Sequence, residues 1–336
     1  MVPGAEERTR ERLAVALAKG TNLAENESFL AEHRIEALFS VTPFAIQELV
    51  VLHAAHRRAI PAITSILSFD NITTRPPLPI TFDRYLVWNA YNADEIRRGY
   101  PWVPPATIDI VGPGQFDFYA DPQYVQDRAT WLARIGVSPE VPTVLYGAGP
   151  PSVSPHEDQY VDDLIAAIRR GALPRDLKIV LRRHPNDHPE RWERFRADPA
   201  VAFDDPGAVG TEHYRPGQVN MARAQIVDLC SALAHTDVHV SVSSTMTLDG
   251  AFFDKPQIAP AYDRRGGRRQ RRRARELYER EHFLPIVASG GLELAASSDE
   301  LVRQVRGALD RPDRLGPQRR AMLAAVCTFT DGGAIG

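Results

Sequence analysis

The chain has 336 residues, 43% of them hydrophobic and 25% charged, the values of a globular protein with room for two domains of ordinary size. A formal net charge of −3 gives no overall case for nucleic acid, and no stretch approaches the ~18–20 apolar residues of a membrane span. Cys230 and Cys327 lie far apart in apolar surroundings, which excludes a disulfide scaffold and a zinc site.

Residues 6–19 are charged and amphipathic. They predict a helix ended by Gly20, with no apolar signal-peptide core. The expectation is a cytoplasmic protein, with peripheral contact at the inner membrane left open. A second helix is predicted over 27–33 and a buried strand over 37–41. A helix follows over 45–58, then strands over 61–67, 85–88 and 108–111. Strands alternating with helices imply parallel βαβ units.

Residues 119–141 read as the passage between domains and include a predicted helix over 125–135. The alternation then restarts with a strand over 143–146, a Gly/Pro loop over 147–151 and a helix over 156–170. Next come a strand over 177–181, ending in Arg182-Arg183-His184-Pro185, a short strand over 201–203 and a helix over 224–235. The stretch 238–256 is the clearest. Val238, Val240 and Val242 alternate as a strand, Ser243-Ser244-Thr245 breaks it, and a helix resumes through Met246, Leu248, Ala251 and Phe252. Helices over 298–309 and 319–327 close the chain. The domain reading is 1–118, 119–141 as connector, 142–315, and a terminal helix over 316–336.

In open parallel sheets, ligands sit beyond the carboxyl ends of the strands. Four loops therefore hold the candidate residues. Ser243, Ser244 and Thr245 open a helix whose free N–H groups and dipole favour a phosphate; equally, one hydroxyl caps the helix. Arg183 and His184 offer further donors to a phosphate, or form a basic surface loop. Gly149 belongs to the Gly/Pro loop. Asp70 fits a base or a sugar-binding carboxylate, and with Asn71 it fits an Asx turn or helix cap.

Asp249 fits either a ribose diol or the helix dipole. His282 fits a ligand contact or a cap. Asp162-Asp163 are placed on an exposed helix face. No spacing among Asp, Glu and His forces a metal, and neither a Walker lysine motif nor a Gly-x-Gly-x-x-Gly fingerprint is present.

Eight arginines crowd residues 264–275 around Gly266-Gly267. They read as a solvated, mobile loop. Anionic lipid or a phosphorylated acceptor is the sharper alternative. Nucleic acid ranks last, because no aromatic residues are interleaved to stack bases.

Several of these segments, in order, resemble the glycosyltransferase-B superfamily, with UDP-glycosyltransferase-like topology. The nearest likeness is to bacterial CDP-glycerol glycerophosphotransferases and UDP-N-acetylglucosamine 2-epimerases. The matching segments are Ser68 through Thr74, Val87-Trp88-Asn89, Val111 through Asp117, Arg182 through Pro185, Ser243 through Pro256, His282 with Gly290-Gly291, and Phe329 through Gly332. The resemblance implies an α/β fold of two facing Rossmann-like domains, the second binding a nucleotide-activated donor and the first a hydroxyl acceptor. It implies that His184 and Ser243-Ser244-Thr245 face the donor phosphates. Asp249 then stands at a ribose-binding position and Asp70 at an acceptor-side one.

The activity implied is transfer of a sugar from a nucleotide-diphosphate donor to a cell-envelope or natural-product acceptor, with no other cofactor. CDP-glycerol-type phosphoglycerol transfer, 2-epimerisation and a non-catalytic sugar-nucleotide or polysaccharide binder are the alternatives. Chains of this superfamily usually open with a strand, a Gly-rich turn and a helix, and that loop often supplies the base. Here the first strand is over 37–41. The N-terminal domain is therefore expected to be short by one or two βα units, truncated or reduced. The tail over 332–336 stops where relatives continue a helix. A complete six- or seven-stranded N-terminal sheet would overturn that expectation.

Overall fold

A computed structural model describes residues 22–78, 80–184, 187, 189–205 and 222–334, with Arg12 and Ala16. The helix predicted over 6–19 lies outside the described residues except at those two positions, and Pro185 and His188 also lie outside them. The chain forms two compact units, Met1–Gly114 with Ala325–Phe329, and Gln115–Ala324 with Thr330–Ala334.

The first unit alternates α1 (Leu23–Glu32), β1 (Leu38–Ser40), α2 (Ile46–Arg57), β2 (Ala62–Ser65), α3 (Asn71–Thr74), β3 (Arg84–Val87), α4 (Ala90–Gly99) and β4 (Ile108–Ile110). The strands pair in parallel in the order β1-β2-β3-β4. Among the described residues this sheet has four strands. Tyr85, Val87, Ile96, Ile66 and Leu52 form its apolar centre. The polar tips of buried tyrosines find backbone partners: Tyr85 Oη accepts from Phe82 N at 2.9 Å and Tyr100 Oη from Leu78 N at 2.9 Å. The helix α4 was not foreseen. Asn89 caps it by accepting from Asn92 N at 2.8 Å, and the Asn89 amide donates to Val326 O at 2.5 Å.

The second unit runs α5 (Asp117–Ala120), α6 (Arg128–Arg134), β5 (Thr143–Gly147), α7 (Asp158–Arg169), β6 (Lys178–Arg182), β7 (Val201–Phe203), α8 (Arg223–His235), β8 (Val238–Ser241), α9 (Met246–Phe252), β9 (Gln257–Pro260), α10 (Arg268–Glu276), α11 (Leu284–Ala288), β10 (Leu292–Ala295), α12 (Ser298–Asp310) and α13 (Gly316–Val326). Its six strands are all parallel, in the order β10-β9-β8-β5-β6-β7. Helices leave no free face on a parallel sheet, so its central strands read as continuous apolar runs. Val144, Leu145, Tyr146, Val238 and Val240 are accordingly fully buried.

Three local expectations are corrected. The helix predicted over 125–135 starts only at Arg128, because Asp127 Oδ2 accepts from Thr130 N at 3.0 Å and sets the N-cap there. The arginine run is not a loop throughout: Arg268–Glu276 is helical. Asp162-Asp163 are not both on an open face. Asp163 is buried, accepts from Tyr262 Oη at 2.7 Å and pairs with Arg264 at 2.5 Å. Arg265 pairs with Asp158 at 2.6 Å and also with Asp162.

Candidate functional site

The order β8-β5-β6 makes the gap between β5 and β8 the switch point of the sheet. From β5 the chain winds outward through β6 and β7, then returns to build β8, β9 and β10 on the other side. Helices flanking a switch point diverge and leave a crevice at the carboxyl ends of the strands. Gly147 ends β5 there. A Cβ at that position would stand 2.5 Å from Met246 Sδ, so the Met246 side chain at the start of α9 packs directly onto the end of β5. That contact sets Ser243-Ser244-Thr245 beside the loop 147–151.

The hydrogen bonds of this serine turn divide its roles. Ser243 N donates to Tyr278 Oη at 3.2 Å, and Tyr278 Oη donates to Pro260 O at 2.9 Å. Met246 N donates to Ser244 Oγ at 3.2 Å, so Ser244 is the side chain that caps α9. Among the described residues no hydrogen bond engages the N–H groups of Ser244 and Thr245. Two adjacent donors are thus left at a half-buried position, where an unmade hydrogen bond is costly.

β6 lies on the far side of β5, so its carboxyl end is about 10 Å from that of β8, twice the ~4.8 Å spacing of neighbouring strands. It carries Arg182, Arg183 and His184. Arg182 is buried and bound to Asp204, which also accepts from Arg134 at 3.0 Å. Arg183 Nε donates to Asp205 Oδ1 at 2.6 Å, and Arg196 holds the other Asp205 oxygen at 2.8 Å. Both guanidiniums are therefore engaged by carboxylates that follow β7. His184 is half-buried, and desolvation lowers its pKa against the opposing pull of Asp187. It stands as a neutral imidazole at neutral pH.

Asp249 sits in the first turn of α9 and points inward. It is 6% exposed, and its Oδ1 has no hydrogen-bond partner among the described residues. The Tyr119 hydroxyl bonds the carboxyl group, yet burial pushes its pKa up to about 7. The neighbouring Cys230 thiol is pushed up to about 12 by burial first and by Asp249 second.

The remaining candidates are dispersed. Asp70 and Asn71 belong to the first unit, at the start of α3. Asp70 takes no backbone cap bond; its carboxylate accepts from Ser68 Oγ at 2.5 Å, Asn71 Nδ2 at 3.2 Å and Thr74 Oγ1 at 3.2 Å. His282 is buried edge-on to Phe283, in the turn between α10 and α11. No three His, Cys, Asp or Glu side chains converge as a metal would require, among the described residues. No described helix is long and apolar enough to cross a membrane.

No protein-family model matches the chain, and no curated protein matches its sequence. Solved structures do match. A Listeria monocytogenes protein assigned as a UDP-N-acetylglucosamine 2-epimerase superposes with a TM-score of 0.61 at 13% identity, over 99% of this chain and 78% of its own. The Neisseria meningitidis UDP-GlcNAc 2-epimerase bound to UDP-GlcNAc superposes with a TM-score of 0.59 at 10% identity, over 99% and 81%. The fold is the one these epimerases share. It is the α/β pair of Rossmann-like units that the sequence resemblance implied. The wall teichoic acid polymerase TagF is a weaker likeness, with a TM-score of 0.48 at 13% identity over 75% of this chain and 55% of its own.

One buried group at the site had no signal in the sequence. Glu157, one residue before α7, reaches under the loop 147–151. Gly149 N donates to its Oε1 at 3.0 Å and its Oε2 at 3.1 Å. Tyr146 Oη donates to its backbone O at 3.1 Å, and Arg191 pairs with Oε1 at 3.1 Å. Gly149 is therefore held by a carboxylate through its own N–H. Burial pushes Glu157 up to about 8 against the pull of Arg191.

Proposed function

We propose that this chain is a sugar-nucleotide enzyme of the glycosyltransferase-B type that transfers a sugar from a nucleotide-diphosphate donor to a hydroxyl acceptor. The observation that carries this reading is the pair of unengaged N–H groups at Ser244 and Thr245, set at the switch point of a parallel sheet. A diphosphate there accepts from both, and His184 follows the carboxyl end of β6 on the same edge of the sheet. As the donor bond breaks, charge grows on the departing phosphate, and donors already fixed in place stabilise it without reorganising. Arg183 contributes less in this scheme, because its guanidinium serves Asp205. UDP is the first nucleotide to try, since similar folds were solved with UDP-GlcNAc or UDP.

A second reading, a sugar-nucleotide binder without catalysis, is favoured by Asp70. Three side-chain donors already occupy its carboxylate. An acceptor hydroxyl would have to displace one of them before losing its proton to Asp70.

Thermal-shift measurements with UDP, CDP, GDP and TDP test the donor site, because a ligand that binds only the folded chain raises its stability by mass action. One nucleotide is expected to stabilise the protein, with CDP the outcome if phosphoglycerol transfer is the activity. Thr245→Pro, which deletes one of the two N–H groups at a φ of −58° that proline accepts, is expected to abolish most of that shift. An unchanged shift would exclude this pocket. Donor turnover separates enzyme from binder.

A further inference from the structure

Arg191 closes a short turn after β6 and is almost wholly buried, with a side chain 13% exposed. Its guanidinium lies 3.1 Å from Glu157 Oε1 and 3.1 Å from Asp187 Oδ2, and both carboxylates are fully buried. It also donates to Ser154 O at 2.5 Å and Gly149 O at 3.4 Å, and lies over the Trp192 ring at 5.0 Å. Each carboxylate is in turn fixed to a different loop. Glu157 holds Gly149 N of the loop after β5. Asp187 accepts from Trp192 Nε1 at 2.7 Å, and its own N–H donates to His184 O at 2.9 Å. One planar cation thus bridges the two loops beyond the last rung of the β5–β6 ladder, where Ala148 N donates to Arg182 O at 2.9 Å. Removing one partner of such a buried cluster strands the others in low dielectric, so the cluster is all or nothing.

We propose that Arg191 is a positioning residue. Through Glu157 and Asp187 it fixes the loop after β5 relative to His184, and so holds the β5–β6 side of the crevice in which the donor phosphates would lie. Its use for a donor rests on the reading given above; the bridge itself does not. Arg191 need touch no ligand. Lysine keeps the charge but cannot serve two carboxylates and two carbonyls from one plane.

Hydrogen exchange resolved to single amides tests the bridge. In Arg191→Lys the Gly149 amide is expected to exchange at least about tenfold faster, with β5 and α7 amides unchanged, because the loop opens locally. Nucleotide affinity should fall by about tenfold or more alongside it. In Glu157→Gln the acceptor for Gly149 remains and exchange there should change less. Unaltered Gly149 exchange in Arg191→Lys overturns the proposal. If that variant loosens everywhere, Asp187→Asn decides. It should lower the His184 pKa measured by NMR and accelerate exchange of the amide at 187, and no change in either overturns the bridge. Faster Gly149 exchange in a wild-type background that binds no nucleotide would sink the donor reading and leave the bridge standing.

Discussion

Two carboxylic acids are buried beside the same crevice and are treated in opposite ways. Glu157 is surrounded by partners: a backbone N–H and a guanidinium at Oε1 and a tyrosine hydroxyl at Oε2, all within 3.4 Å. Asp249 has the Tyr119 hydroxyl and one oxygen with no partner among the described residues. Burial raises both pKa values, so neither acid is simply an ionised group in water. The difference is what each does for the loops around it. Glu157 ties Gly149 down and is part of the scaffold. Asp249 ties nothing, and its orphan oxygen is the sort of group that a protein keeps only for a reason outside packing.

Substitutions sharpen that contrast. Glu157→Ala removes the acceptor of Gly149 and leaves Arg191 beside Asp187 alone, and should cost about 3–5 kcal/mol in denaturant unfolding. A loss under 1 kcal/mol would break the comparison. Asp249→Asn should behave differently with pH. A carboxyl whose folded pKa is raised to about 7 from its ordinary 3.8 favours the folded state fully below pH 3.8. That contribution disappears as pH rises through 7. The asparagine variant lacks the slope, so its Tm relative to wild type should move by roughly 5 °C in its favour between pH 5 and pH 8. Parallel Tm–pH curves would show that Asp249 does not titrate in that window. The smallest effect belongs to Ser244→Ala. Losing the bond to Met246 N should cost about 1 kcal/mol, read from the shift of the unfolding midpoint.

How much of this was legible depended on the range of each signal. Strands with β-branched residues in alternation, such as Val238 to Val242, were read within a residue or two of their observed bounds. β9 was missed because Gln257, Ile258, Ala259 and Pro260 are all buried. No alternation marks such a strand, and its proline sits harmlessly at the end of the ladder. The helix α4 was hidden by polar residues that turn inward: Asn92 and Glu95 are buried and bonded to each other at 2.9 Å.

At the site, local features were readable and distant partners were not. Capping by Ser244 was one of the two readings the serine turn allowed. That Arg183 would be engaged by Asp205 was not visible, because the two lie 22 residues apart and meet only once β6 and β7 pair. Glu157 and Arg191 are farther apart still, and no helix or strand period links them. The arginine run showed the converse. Its composition suggested open loop, yet Asp158, Asp162 and Asp163 on α7 pair with its first two arginines and the rest continues as helix.

The bond from the Asn89 amide to Val326 O spans 237 positions of sequence, and it lies within the first unit. That unit borrows Ala325–Phe329 from beyond Gln115–Ala324, the main body of the second. During synthesis at ~5–20 residues per second, roughly 10–50 seconds separate the emergence of these two partners. Until then the side-chain amide of the residue that caps α4 lacks this acceptor. The first unit therefore cannot complete this contact until nearly all of the second has been made.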